Sequence, residues 1–173
     1  MTPMGAVVRG IAAGTAGVAA MDGFSYVRYR LAGGRSRPLS YEFGTERDWE
    51  KVSAPGKVGK RLIEGFTQQE LPVDKAPLVN NAMHWGYGLG WGVAYGIMAG
   101  SLRNPRPLLG PVFGAAVWLA GYAFLPLAKV YQPIWEYDTK TLVQDLSGHL
   151  VYGAGVGIVF RLLANNGGRC RTG

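Results

Sequence analysis

The chain has 173 residues, enough for one domain or slightly more. It carries a net charge of +7 and a single cysteine, Cys170, in a polar tail, so a disulfide framework and CxxC chemistry are excluded. Mean hydropathy is only +0.06, but that average conceals a split: from Pro77 to Lys129 the only charged side chains in between are Arg103 and Arg106. Apolar stretches of about 20 residues are what a helix needs to cross hydrocarbon. The positive charge is therefore assigned to anionic lipid headgroups and topology control, with no nucleic-acid partner.

In chain order, the sequence predicts an all-α protein, a four-helix transmembrane bundle with spans at about 5–27, 79–101, 108–128 and 141–163. The first, GAVVRGIAAGTAGVAAMDGFSYV, has only Arg9 ahead of its apolar centre. It is read as a retained span in preference to a cleaved signal peptide. A polar, partly helical insertion follows at 28–78. Within it PGKVGKRLIEGF, at 55–66, places Val58, Leu62, Ile63 and Phe66 near one face, the pattern of a helix near 55–67 lying on a membrane surface. GKVGKR lacks the spacing and the Ser or Thr of a phosphate loop.

The second span is weakened on hydropathy by Asn80, Asn81 and His84. The third, LLGPVFGAAVWLAGYAFLPLA, is the cleanest, with Pro111 in its first turn and Pro126 at its end. The fourth contains Gln144, Asp145 and His149.

The second and fourth spans repeat one motif. HWGYGLGWG at 84–92 and HLVYGAGVG at 149–157 match at a constant offset, 149 − 84 = 65. More faintly, Gly10, Gly14 and Phe24 match Gly110, Gly114 and Phe124 at an offset of 100. The sequence thus predicts two similar helical hairpins related by an axis along the membrane normal.

Residues four apart share a helical row. One row reads Asn80, His84, Gly88, Gly92, Gly96, Gly100 and the other Asp145, His149, Gly153, Gly157, Arg161. Small residues at this spacing let another helix approach closely, so these glycines are assigned to helix packing. A groove for a flat or elongated ligand is the alternative. Gly10, Gly14, Val18 and Asp22 similarly parallel Gly110, Gly114, Trp118 and Tyr122.

With four spans, the second and fourth run the same way, and His84 and His149 share a depth. Asp22 reaches that side as well. The candidate cluster is Asp22, His84, Asp145 and His149, with Tyr87, Tyr122 and Tyr152 nearby. Ionisable groups inside a span suggest function by default. Three uses fit the cluster: interhelical glue, proton or small-ion handling by carboxylate–imidazole pairs, and ligation of a divalent metal or a haem by His84 and His149. No Ser or Cys sits in an activating context, so no catalytic residue is assigned.

Trp49, Tyr41, Trp135 and Tyr137 suit the headgroup layer, or else a lid over a ligand. The charge bias is nearly balanced. Arg9, Arg103, Arg106, Arg161, Arg169 and Arg171 favour cytoplasmic termini, and Arg28, Arg30, Arg35 and Arg37 oppose that orientation.

SGHLVYGAGVGIVFRLL resembles the last membrane helix of the YagU-like family of small bacterial inner-membrane proteins, and NNAMHWGYGLGWGVAYG resembles its middle helix. Gly148, His149 and Leu150 carry the motif, with His84 in the middle helix. The resemblance covers the last three spans and not the insertion. It implies a multi-pass protein of the bacterial inner membrane and carries no activity. The expected function is movement or sensing of protons or a small ion. The expected partners are the lipid bilayer and a second copy packed through the glycine faces, or else a membrane partner protein; the alternative functions are a non-catalytic scaffold or accessory subunit, and a haem- or metal-binding redox protein.

Overall fold

The computed structural model describes residues 1–43, 48–102, 108–127 and 129–169, with side chains through Asn165. Glu46, Arg47, Arg103, Arg106, Cys170 and Arg171, and the Arg169 side chain, lie outside the described residues. Those described form an all-helical chain without strands. Its elements are α1 (Pro3–Leu31), α2 (Pro38–Phe43), α3 (Ala54–Thr67), α4 (Ala76–Ser101), α5 (Leu109–Phe124) and α6 (Thr139–Arg169), with short 3₁₀ turns at Val73–Lys75 and Ile134–Glu136.

Local chemistry sets most of the ends. Thr2 caps α1, its hydroxyl accepting from the Gly5 amide at 3.2 Å, with Pro3 in the first turn where a missing N–H costs little. The helix stops before Gly33, whose φ of +92° suits glycine. Prolines open α3 and α4 as well. Asp138 precedes α6 and accepts from the Thr141 amide at 3.0 Å. α5 ends at Phe124, ahead of Pro126, and so has 16 residues, about 24 Å of helix at 1.5 Å per residue.

Two helices, α1 and the Thr139–Asn165 part of α6, are long and apolar enough to cross a membrane. The sequence predicts four. The 108–128 stretch falls short because its helix closes early, and α4 is long enough but carries Asn80, Asn81 and His84 in its first half.

Packing is governed by glycine. A Cβ on Gly92 would meet the Gly14 Cα at 2.5 Å, and one on Gly96 would meet the Gly10 Cα at 2.8 Å. Across α5 and α6, a Cβ on Gly153 would meet the Gly114 Cα at 2.8 Å, and one on Gly157 the Gly110 Cα at 3.0 Å. The rows therefore seat helix backbone on helix backbone, in antiparallel pairs α1–α4 and α5–α6. Gly88 fits against Val18 and Gly100 against Ala6.

The two pairs differ in register. Gly92 corresponds to Gly157 (157 − 92 = 65), yet Gly92 faces Gly14 and Gly157 faces Gly110. By packing, Gly14 therefore corresponds to Gly110, an offset of 96 (110 − 14), one helical turn from the 100 suggested by sequence.

The hairpins meet through α1 and α6. Gly17 sits against Tyr152 and Val156, Gly148 against Met21, and the Arg9 Nε donates to the Leu163 carbonyl at 3.1 Å. α1 is thus antiparallel to α6 as it is to α4, so α4 and α6 point the same way. A true two-fold would pack α4 on α5 in the same manner. Instead those helices are bridged by rings, Trp91 and Tyr95 on Phe113 at 5.8 and 5.1 Å, with Phe160 on Tyr95 at 5.6 Å. Beyond this plug, towards α2 and α3, the helices leave a cavity.

The insertion closes one side of it. α3 docks on α4 through Gly56 and Gly59, against Asn80, Val79 and Met83. Leu62, Ile63 and Phe66, on its apolar face, remain exposed.

A glycine pair separates close approach from helix propensity. Gly92→Ala is expected to lower the melting temperature of the purified protein, because its methyl meets backbone. Gly90→Ala, which faces open space, is expected to leave it unchanged or raise it, by up to about 1 kcal/mol of helix propensity.

Candidate functional site

The cavity has a volume of about 510 Å³. All seven residues of the candidate cluster line it: Asp22, His84, Tyr87, Tyr122, Asp145, His149 and Tyr152. They are brought together because α4 and α6 are parallel and because α1 and α5 present the rows opposite them.

The four ionisable residues form two pairs of different kind. His84 Nε2 lies 2.9 Å from Asp22 Oδ1, a bond between α4 and α1. His149 Nδ1 lies 3.0 Å from the Asp145 carbonyl and 3.4 Å from Asp145 Oδ1, a contact within one turn of α6. The register shift explains the difference. Adding 96 to 22 gives 118, so where the first hairpin offers His84 a carboxylate, the second offers its histidine's row an indole, Trp118.

The other half of each polar pair has diverged too. Asn80, the counterpart of Asp145, accepts from Ser53 Oγ at 2.6 Å and from the Gly56 amide at 3.0 Å, and so anchors α3. Tyr152 reaches across the bundle and donates to the Gly88 carbonyl at 2.6 Å. Tyr87 lies half-exposed at the cavity wall, its ring on Trp91.

Three lining residues carry no sequence signal strong enough to place them here. Glu42 comes from α2, in the insertion, and its backbone carbonyl accepts from Asn81 Nδ2 at 2.8 Å. Asn81 is only 7% exposed, and its Oδ1 has no partner among the described residues. Trp118 likewise has an unpartnered, buried Nε1. Trp118 shares the α5 row with Gly110 and Gly114, which was a usable clue; Glu42 sits on no row at all.

Electrostatically the site is acidic. Burial, then the nearby Asp22 carboxylate, pushes the Glu42 carboxyl above the usual glutamate range, against the pull of His84. Burial and Asp145 raise the Tyr131 phenol, in the α5–α6 loop. Among the described residues no Lys or Arg lines the cavity, and no three His, Cys, Asp or Glu side chains converge as a metal site. His84 Nε2 is already engaged by Asp22.

A second, more open cavity of about 810 Å³ shares Met21, Ser25, Tyr41, Tyr122, Tyr131 and Asp145 with the first. Tyr41 stacks with Tyr29 at 4.8 Å on one side of it, and Tyr137 meets Tyr122 at 5.3 Å on the other. Of the four aromatics assigned to headgroups, only Trp135 projects freely. Trp49 Nε1 donates to the Leu71 carbonyl at 3.1 Å, beneath Lys60.

Compared with known proteins, the chain matches no family model, no curated protein and no solved structure.

The raised Glu42 pKa has a stability consequence. The native state holds this proton more tightly than the unfolded chain, so the contribution is present at low pH and lost as pH rises through the folded-state value. Glu42→Gln is therefore expected to melt higher than the parent at pH 7. The gap should close as pH falls below the ordinary glutamate pKa of about 4.3; a constant gap across that range would show that the ionised carboxylate carries no penalty.

Proposed function

We propose that this is a multi-pass inner-membrane protein that moves or senses protons or a small ion through the His84–Asp22 pair. The observation that carries this reading is an interhelical carboxylate–imidazole pair at 2.9 Å on the wall of a cavity inside the bundle. Carboxylate–imidazole pairs inside helical bundles are chemistry suited to relaying protons, and the cavity offers a proton or ion a route to this one.

Location in the membrane is supported by the outward faces. Val8 and Ile11, Ile97 and Met98, Val112 and Leu119, and Leu150 and Ile158 leave apolar surface exposed on all four long helices. An apolar patch of that extent marks a membrane or protein interaction site. A bilayer tolerates the short α5 by local thinning. Membership of the YagU-like family, which we propose on the motifs at His84 and at Gly148, His149 and Leu150, implies the same location. The termini are placed in the cytoplasm, with the cavity and insertion facing outward. The exposed Leu62, Ile63 and Phe66 of α3 suit the lipid surface. The glycine rows are occupied within the chain, so a second copy or a membrane partner would use another face.

In proteoliposomes carrying a trapped pH dye, His84→Ala and Asp22→Asn are each expected to cut proton flux by about tenfold or more, the low end of general acid–base contributions being about a hundredfold. His149→Ala should act less, since its partner lies on its own helix. Unchanged flux with a lower melting temperature would instead make the pair interhelical glue.

The scaffold reading has one specific observation in its favour, the buried Tyr152 hydroxyl on the Gly88 carbonyl. Tyr152→Phe is expected to lower stability by about 1 kcal/mol, read as a drop in melting temperature. It should leave flux intact if that bond is purely structural.

A further inference from the structure

We propose that the cavity binds a protonated amine carried on an apolar, ring-bearing body. This rests on reading the cavity as the functional site, and it names the class of ligand the site takes. Size is the first indication: about 510 Å³ is far more than a bare ion occupies and falls in the range that holds drug-sized molecules.

Charge gives the sign. Asp22, Glu42 and Asp145 approach from α1, α2 and α6, and among the described residues no Lys or Arg lines the wall. With neutral imidazoles, the described lining residues carry acids and no formal positive charge.

Hydrogen bonding gives the donor. Asp22 Oδ2 and Asn81 Oδ1 are buried acceptors without partners among the described residues, and Asn81 is more than nine-tenths buried. A buried acceptor left unpaired is costly, and an ammonium N–H satisfies it. A bare metal cation would instead need several charged ligands converging on one point, and none do so among the described residues. Trp118 Nε1, unpartnered among the described residues, is a donor and would take one acceptor on the same ligand, such as an ether or hydroxyl.

The aromatic wall gives the body. Trp118, Tyr122 and Tyr131 form a run of rings 5.1 Å apart, with Tyr87, Trp91 and Tyr152 around the same space. Ring faces attract a cation and bury an apolar skeleton. Entry is through the tyrosine-flanked outer cavity. Arg28, the cation at that mouth, is held over the Phe24 ring at 5.6 Å and donates to the Gln144 carbonyl at 3.1 Å.

Naphthylethylamine, its trimethylammonium form and naphthylethanol form a series that varies charge and N–H donors while keeping the ring. Calorimetry on the full chain in detergent is expected to show saturable binding of the amine. The trimethylammonium form should bind more weakly, and the neutral alcohol about tenfold more weakly or worse, since a charged hydrogen bond is worth about 1.5–3 kcal/mol. Asp22→Asn and Glu42→Gln should each weaken the amine and not the alcohol. If Asp22→Asn fails to fold, Glu42→Gln and the ligand series on the parent chain decide the matter. Equal affinity for amine and alcohol overturns the proposal, whatever the proton flux. Selective amine binding in a protein without proton flux sustains it and removes the proton-handling function.

Discussion

Everything in this molecule depends on helix backbones touching at glycine. Gly10, Gly14, Gly92 and Gly96 on one pair, and Gly110, Gly114, Gly153 and Gly157 on the other, bring main chains within reach of each other. Small residues at this spacing let close van der Waals contact join the helices. The same contacts fix depth. Once Gly92 is seated against Gly14, His84 lies about two turns N-terminal to Gly92 on α4 and Asp22 about two turns C-terminal to Gly14 on α1, the same direction in space because the helices are antiparallel. The 2.9 Å bond between them follows from the glycine register.

Repetition gives the bundle its economy, and departure from repetition gives it a cavity. The α1–α6 contact is tight because Gly17, Gly148 and Gly155 admit it. Its pseudo-symmetric counterpart, α4 against α5, is held apart by Trp91, Tyr95 and Phe113. Large rings at one level prevent collapse at the next. One turn of slippage between the hairpins then gives the two histidines different neighbours, a carboxylate for His84 and an indole on the row facing His149. A repeated sequence pattern thereby encloses an asymmetric interior.

The insertion has a structural part in this. Asn80 anchors it through Ser53 and Gly56, and Asn81 through the Glu42 carbonyl. Its glycine face is turned inward, so Leu62, Ile63 and Phe66 are left facing out, whereas Val58, expected on the same face, lines the cavity. Glu42 arrives at the cavity by this route and adds a third carboxylate to the two carried by long helices.

The all-helical class, the helix near 55–67 and the glycine rows are legible in the sequence, because each rests on spacing along a single helix. The four-residue period that aligns His84 with Gly88 and Gly92 is a property of the helix itself. The span count was less legible, since composition does not reveal that α5 closes at Phe124. What only tertiary structure decided is which row meets which, and in what register. That choice pairs His84 with Asp22 but leaves His149 with its own helix, and it brings Glu42, Asn81 and Trp118 to the wall. Periodicity describes one helix at a time, whereas register is set by how two surfaces interlock, and a shift of one turn leaves every row intact while changing every partner.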